Sequence, residues 1–291
     1  MQRTNSNSKD FSTISPSAKW LLLLKGYTNI PFARETAEMI IHPKPYVPDF
    51  SKKDLMFWAR TLHFEMRYWS IDQLLEDLEL KNVLELSSGY SFKGLEKSIH
   101  ENIYYIDTDL PEVIEAKTKM VESLKKDLQQ KEKYELMPLN VFDKKQFKEV
   151  TDHFPEGEIV IVNEGLLMYL NREEKKNLCK TVHDILEKRN GYWIVADIYV
   201  KREFLEKYQN KDGRLKEYYD QHNIEENKFE SFEDAEKFFN NAGFVIDKVA
   251  KINPRKLSSW KYLRKCLTLK HFFLLSKRPK IQATWRLRIS D

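Results

Sequence analysis

The sequence is short of three things, and each shortage closes off a class of protein. Cysteine occurs only twice in 291 residues, at Cys179 and Cys266, far apart and each inside an apolar pattern. Two such thiols supply neither a disulfide framework nor a metal-ligand spacing, so they read as small core residues of a cytoplasmic protein with no metal site. Long apolar runs are also missing. The longest near the start, "WLLLL" from Trp20 to Leu24, falls well short of the ~20 residues a bilayer-spanning helix needs, and no small-residue cleavage site follows it. No export signal and no membrane partner are expected. The third shortage is charge of one sign. Lys and Arg number 49 against 45 Asp and Glu, a net charge of +4 mixed along the chain, which leaves no footprint for nucleic acid. Neither an internal repeat nor a low-complexity segment is present.

What is there points to a large α/β domain. With 41% hydrophobic residues, the chain can bury one sizeable core and carry an elaborated cap. After a polar tail, the stretch from about Ser15 to Leu80 has helical spacing, and Pro31, Pro43, Pro45 and Pro48 divide it into an early pair of helices and a later one. Then the period changes. "NVLELS", "IYYID", "YELMPL", "EIVIVN" and "GYWIVADIY" read as strands separated by amphipathic helices, the pattern of a parallel sheet covered on both faces. A charged, aromatic-rich insert runs from Tyr199 to about Phe229, followed by a helix over "FEDAEKFFNNAG" that Gly243 would cap. "FVIDKVAKI" and "CLTLKHFFLLSK" then read as two more strands forming an antiparallel edge pair. The expected division is a tail and helical cap over 1–80, and an α/β domain over 81–291 with a cap insert at about 200–229.

The chemistry-bearing residues gather where these strands end. In "EIVIVNEGLLMYL", a β-branched run stops at Asn163, Glu164 and Gly165 before apolar residues resume, and open α/β sheets bind ligands at such carboxyl ends. Gly89 sits where the first strand turns into the first helix, where a close backbone approach or an unusual φ is needed. The spacing from Gly89 to Gly94 does not make a dinucleotide fingerprint, and Leu95 and Glu96 stand where a phosphate loop would need Lys and Ser or Thr. A nicotinamide cofactor is therefore disfavoured. Asp107 and Asp109, 18 and 20 residues beyond Gly89, lie on one face of the second strand, and either can accept the two hydroxyls of a ribose. Asp107 is the favoured of the two, since Asp109 is equally suited to capping the helix that begins at Pro111.

Together, "NVLELSSGYSFKGLE", "YYIDTDLPEVIEAK" and "EGLLMYL", with "SPSAKWLLLLKGYTNIPFA" and "MRYWSIDQLL" upstream, resemble the leucine carboxyl methyltransferase family and its bacterial branch of small-molecule, polyketide-type O-methyltransferases. The resemblance runs from about Ser15 to Leu186. It implies a seven-stranded, Rossmann-like class I methyltransferase sheet, mostly parallel with the last strand antiparallel, and S-adenosylmethionine as cofactor, released as S-adenosylhomocysteine. Carried over by position, Lys19 lies near the cofactor, Arg67 holds its methionine carboxylate, and Gly89 lies beneath it. Asp109 with Asp107 is the acidic pair at the ribose, Asn140 falls at the adenine-side loop, and Glu164 is the glutamate closing the fourth strand. One position departs from the pattern: Ser87 replaces the first glycine of the usual Gly-x-Gly turn, adding a Cβ and a hydroxyl beside the methionine arm.

The implied activity is O-methylation of a small-molecule carboxylate or hydroxyl. A carboxylate is already ionised near neutral pH and needs no general base. His63, four residues before Arg67, is the one candidate base for a hydroxyl acceptor. Phe57, Trp58, Phe64, Tyr68 and Trp69 are candidates to line the acceptor pocket, half or more of them expected in the core. Carboxyl methylation of a protein C-terminus and a non-catalytic cofactor-binding protein are the alternatives.

Overall fold

The computed structural model describes residues 15–40, 52–79, 81–125, 133–201, 213–268 and 280–290. Helices α1 (Ser15–Lys25), α2 (Ala33–Glu38) and α3 (Leu55–Leu75) come first. Asp54 opens α3 by accepting a hydrogen bond from the Phe57 amide at 2.9 Å, a side-chain cap for a donor the helix leaves unpaired. Strand and helix then alternate through β1 (Asn82–Leu86), α4 (Lys93–His100), β2 (Tyr104–Asp109), α5 (Pro111–Lys125), β3 (Tyr134–Pro138), α6 (Lys144–Asp152), β4 (Ile159–Asn163), α7 (Arg172–Arg189) and β5 (Gly191–Tyr199). The remainder contains α8 (Gly213–Gln221), α9 (Ile224–Asn227), α10 (Phe232–Asn241), β6 (Phe244–Val249), α11 (Trp260–Cys266) and β7 (Gln282–Ile289).

The seven strands form one sheet in the order β3-β2-β1-β4-β5-β7-β6. β1 to β5 pair in parallel, and β7 is antiparallel to both β5 and β6. Side-chain alternation sends Ile159 and Ile161 into one core with Trp193, Phe147, Leu178 and Phe239, and Val160 and Val162 into another with Leu22, Tyr68, Ile71 and Leu95. Both faces are covered, which is why β4 reads as an unbroken apolar run. Strand order reverses between β1 and β4, so the crevice beyond their carboxyl ends is where this topology places a ligand.

The edge pair exists, but its second strand is not where the sequence pattern placed it. Trp260–Cys266 is helix, residues 269–279 lie outside the described residues, and the last strand is Gln282–Ile289. Arg286 and Arg288 disguise that strand, which otherwise alternates Ala283, Trp285 and Leu287 toward the core. Arg286 is buried because Asp77, just past the end of α3, and Asp247 on β6 take its guanidinium at 2.6 and 2.5 Å. The same contacts tie the N-terminal helices to the sheet. Among the described residues no helix is long and apolar enough to cross a membrane, and no group of His, Cys, Asp and Glu could hold a metal ion.

Candidate functional site

A cavity of about 520 Å³ opens at the carboxyl ends of β1, β2, β4 and β5, roofed by α1, α3 and the insert helix α8. Its floor is the turn after β1. Ser87 and Gly89 both take φ near +50°, the left-handed region in which a serine is strained and a glycine is not. That turn brings the Gly89 amide to Asp109 Oδ2 at 2.7 Å, while the Leu110 amide donates to Oδ1 at 2.7 Å. Each carboxylate oxygen of Asp109 keeps acceptor capacity toward the cavity. Asn140, in the loop after β3, also lines the cavity, and its Oδ1 accepts the Phe142 amide at 3.0 Å.

The wall at β4 carries the charge. Lys25 Nζ donates to both oxygens of Glu164, at 2.8 and 3.1 Å, and Arg67 Nε donates to Oε1 at 3.0 Å. Burial alone would raise the Glu164 carboxyl; the two cations overcome it and hold the group at about 2. Arg67 is itself buried, and burial opposes its charge, but Tyr199, Glu164 and Asp197 keep the guanidinium above its ordinary pKa. Its Nη1 donates to Tyr199 Oη at 3.2 Å, and the buried Nη2 has no partner among the described residues. Gly165 has φ +83°, and a Cβ there would sit 3.4 Å from that unpaired nitrogen. Deeper in, Asn163 donates to Asp197 at 2.6 Å and accepts the Trp193 indole at 2.7 Å. The polar break after β4 is thus half structural anchor, at Asn163, and half cavity wall, at Glu164 and Gly165.

His63 joins this wall from α3, with Nε2 2.6 Å from Tyr199 Oη. Burial, reinforced by the charge on Arg67, pushes its pKa down to about 4, so the ring is neutral near pH 7. Of the aromatic candidates, Phe64 lines the cavity, whereas Phe57, Trp58, Tyr68 and Trp69 pack into the helical layer around it.

Two of the expected cofactor residues stand elsewhere. Lys19 is not on the cavity wall; Lys25, nearly two turns on in the same helix, is. Asp107 is sealed inside the fold, its Oδ2 held by Lys117 Nζ at 2.7 Å and Tyr134 Oη at 2.6 Å. Lys117 also donates to Ser88 Oγ at 2.9 Å, so this pair braces the floor of the cavity from beneath. Arg67, Ser87, Gly89, Asp109, Asn140 and Glu164 all line one cavity. Lys25 and Tyr199 were not anticipated. A lysine directly before Gly26 at a helix end, and a tyrosine ending "ADIY" at the carboxyl end of a buried strand, were the available signals.

A family model described as leucine carboxyl methyltransferase matches residues 32–183, more than half of the chain. The chain belongs to the leucine carboxyl methyltransferase family. Members of that family are S-adenosylmethionine-dependent methyltransferases, which gives the chain its enzyme class and methyl donor. No curated protein matches it. Among solved structures, the cyclopropane synthase MmaA2 from Mycobacterium tuberculosis is similar over 97% of this chain and 100% of its own, with TM-score 0.53 and 12% identity. A chain from the complex of the Haloferax volcanii Trm112 methyltransferase activator with a methyltransferase matches over 80% of this chain and 94% of its own, at TM-score 0.50 and 11% identity. Magnesium protoporphyrin IX methyltransferase from Synechocystis PCC 6803, solved with bound SAH, covers 92% of this chain and 99% of its own, at TM-score 0.48 and 10% identity. At such identities the first two establish the fold. The cavity suits the donor of a leucine carboxyl methyltransferase: an unpaired buried guanidinium nitrogen for its carboxylate, and a strand-tip aspartate with acceptor capacity for its ribose.

Proposed function

We propose that this enzyme is an O-methyltransferase acting on a carboxylate of a small molecule. The observation that carries the reading is the unpaired Nη2 of Arg67, buried against Gly165 on the cavity wall. In this reading Arg67 takes the donor's methionine carboxylate, Glu164 with Lys25 neutralises and fixes Arg67, Asp109 takes the ribose, and Asn140 borders the adenine. Ser87 and Gly89 form the floor under the methionine arm. S-adenosylmethionine supplies a methyl group from its sulfonium and leaves as the thioether. The chain aligns the acceptor oxygen with that methyl and excludes water, the two contributions an in-line displacement needs most. The described helices α1 to α3 act as a cap over the α/β domain, and α8, with Tyr218 and Tyr219, covers the acceptor side; residues 202–212 of the expected insert lie outside the described residues.

A carboxylate is favoured over a hydroxyl because no unengaged base faces the cavity among the described residues. Asp109 and Glu164 are the carboxylates on its wall, and both are held by donors. A histidine whose conjugate acid sits near pH 4 is a weak base for an alcohol. The C-terminal carboxylate of a peptide is the second reading, favoured by the description of the family. Calorimetric titration with S-adenosylmethionine, S-adenosylhomocysteine and NAD comes first, with binding of the first two and none of NAD expected. Methyl uptake onto a panel of carboxylic acids and carboxyl-terminal leucine peptides then separates the two readings. Saturating, cofactor-dependent methylation of alcohols with none of acids would reverse the choice of acceptor.

A further inference from the structure

Tyr199, His63 and Arg67 form a chain of hydrogen bonds whose polarity can be worked out from the donors. Arg67 is permanently charged and only donates, so Tyr199 Oη is the acceptor of its Nη1 at 3.2 Å. The tyrosine's own proton is then directed to the remaining partner, His63 Nε2, at 2.6 Å. Nε2 therefore carries no proton, and a neutral imidazole must carry its hydrogen on Nδ1. Nδ1 makes no protein hydrogen bond among the described residues, and it is not one of the sealed unpaired atoms, while His63 lines the cavity. The result is one fixed N–H donor facing open space.

The surroundings say what that donor meets. The cavity wall bears four cationic side chains, Lys25, Arg60, Arg67 and Lys228, against the two carboxylates Asp109 and Glu164. Lys228 pairs with Glu225 and acts on His63 through its charge. Apolar side chains line the same chamber, among them Leu21, Met56, Leu62, Leu263 and Phe64, whose ring lies edge-on to the imidazole at 5.2 Å between centroids. A donor without a competing acceptor, a surplus of positive charge and an apolar chamber match an amphipathic anion.

We infer that His63 binds the methyl acceptor through Nδ1–H, that Tyr199 is the positioning residue fixing this tautomer, and that the acceptor is a carboxylate on an apolar body. This rests on the methyltransferase reading above and deepens it. Because Arg67 contacts Tyr199 on one side and is the proposed holder of the donor's carboxylate on the other, one guanidinium would orient both partners of the reaction.

The test uses two substitutions that split the imidazole's functions. The amide nitrogen of asparagine falls where Nδ1 lies, whereas that of glutamine falls where Nε2 lies. Octanoate, with 1-octanol as the neutral control, is titrated calorimetrically into full-length protein saturated with S-adenosylhomocysteine. Octanoate should bind at least tenfold more tightly than octanol. His63→Gln should lose roughly tenfold in octanoate affinity, and His63→Asn should stay within about threefold, the size expected of one hydrogen bond to an anion. Tyr199→Phe should cost less octanoate affinity in the His63→Asn background than beside His63, because an amide needs no tautomer fixed. The reverse order, glutamine retaining affinity and asparagine losing it, would mean that His63 only braces Tyr199, and would overturn the inference. So would equal affinity for octanol and octanoate. S-adenosylhomocysteine affinity, read in the same samples, judges the methyltransferase reading separately: its absence defeats that reading, while normal cofactor binding with the wrong octanoate pattern defeats only this one.

Discussion

Two clusters of buried charge meet on β2, where Asp109 of one stands two residues beyond Asp107 of the other. One is the cavity wall of Lys25, Arg67 and Glu164 with the strand tip Asp109; the other is the sealed set of Glu85, Asp107 and Lys117, beneath the turn that forms the floor. Both bury ions and both hold buried atoms without a partner among the described residues, Arg67 Nη2 in the first and Glu85 Oε1 and Asp107 Oδ1 in the second, yet only the first borders open space. Buried charge is thus a poor marker of a binding site. Buried charge that also lines a cavity is a better one.

If that distinction holds, the two clusters should fail differently. Asp107→Ala leaves Lys117 buried without its counter-ion, so it should destabilise the fold by about 3–5 kcal/mol, read from urea unfolding. The fraction that remains folded should bind S-adenosylhomocysteine with nearly normal affinity. A selective loss of affinity at normal stability would restore Asp107 to the ribose. Arg67→Ala is the opposite case. It removes the contact to the donor's carboxylate and should weaken binding by roughly tenfold to a hundredfold, about 1.5–3 kcal/mol, in calorimetry. Affinity unchanged in a folded Arg67→Ala protein would dissolve the contrast between the clusters.

A smaller effect separates them by pH. Glu85 is pushed up to about 8, chiefly by burial and next by the charge of Asp107 beside it, and Tyr105 donates to its Oε2 at 2.6 Å. A carboxyl whose folded pKa lies above its unfolded value of ~4.3 favours the folded state fully below that value. That contribution is lost as pH rises from there through 8. Glu164, held at about 2, behaves oppositely: its contribution is present above pH ~4.3 and fades as pH falls toward 2. Glu85→Gln should therefore flatten the decline between pH 5 and 8, and raise stability at pH 8 by about 1–2 kcal/mol relative to pH 5, seen as a shift in urea midpoints. An unaltered pH profile would mean that the sealed cluster has already adjusted its protonation.

Periodicity and topology rules went far in locating this site. The unbroken apolar β4 and the polar residues ending it identified the crevice, and the first five strands were legible because both faces of a parallel sheet leave continuous apolar runs. What stayed hidden depends on depth and direction. Asp107 and Asp109 share a face and a side-chain type, and only the height of the strand tip above the core separates a sealed ion pair from a cavity wall. Lys19 and Lys25 lie on one short helix, and its rotation, set by packing on α3, decides which faces inward. The last strand was masked by arginines whose partners, Asp77 and Asp247, are distant in sequence. Tyr199 and His63 meet across 136 residues, a pairing no local pattern announces.

The smallest effect tests the one position where floor and wall make conflicting demands. Ser87 holds φ +50°, a conformation costing a side-chain-bearing residue roughly 1–2 kcal/mol, while glycine loses about 0.5–1 kcal/mol through the greater freedom of its unfolded chain. Ser87→Gly should accordingly stabilise the fold by about 0.5–1 kcal/mol. Its side chain makes no hydrogen bond within the described protein and lines the cavity, so the strain is sustained for something outside the chain. If that is a hydrogen bond to the methionine arm, the stabler variant should bind S-adenosylhomocysteine about fivefold more weakly, the worth of one neutral hydrogen bond near 1 kcal/mol. Stability rising while affinity falls would mark Ser87 as part of the wall rather than the floor. A rise in both would make the serine a tolerated departure from glycine, and the boundary between the two clusters would then run above the turn instead of through it.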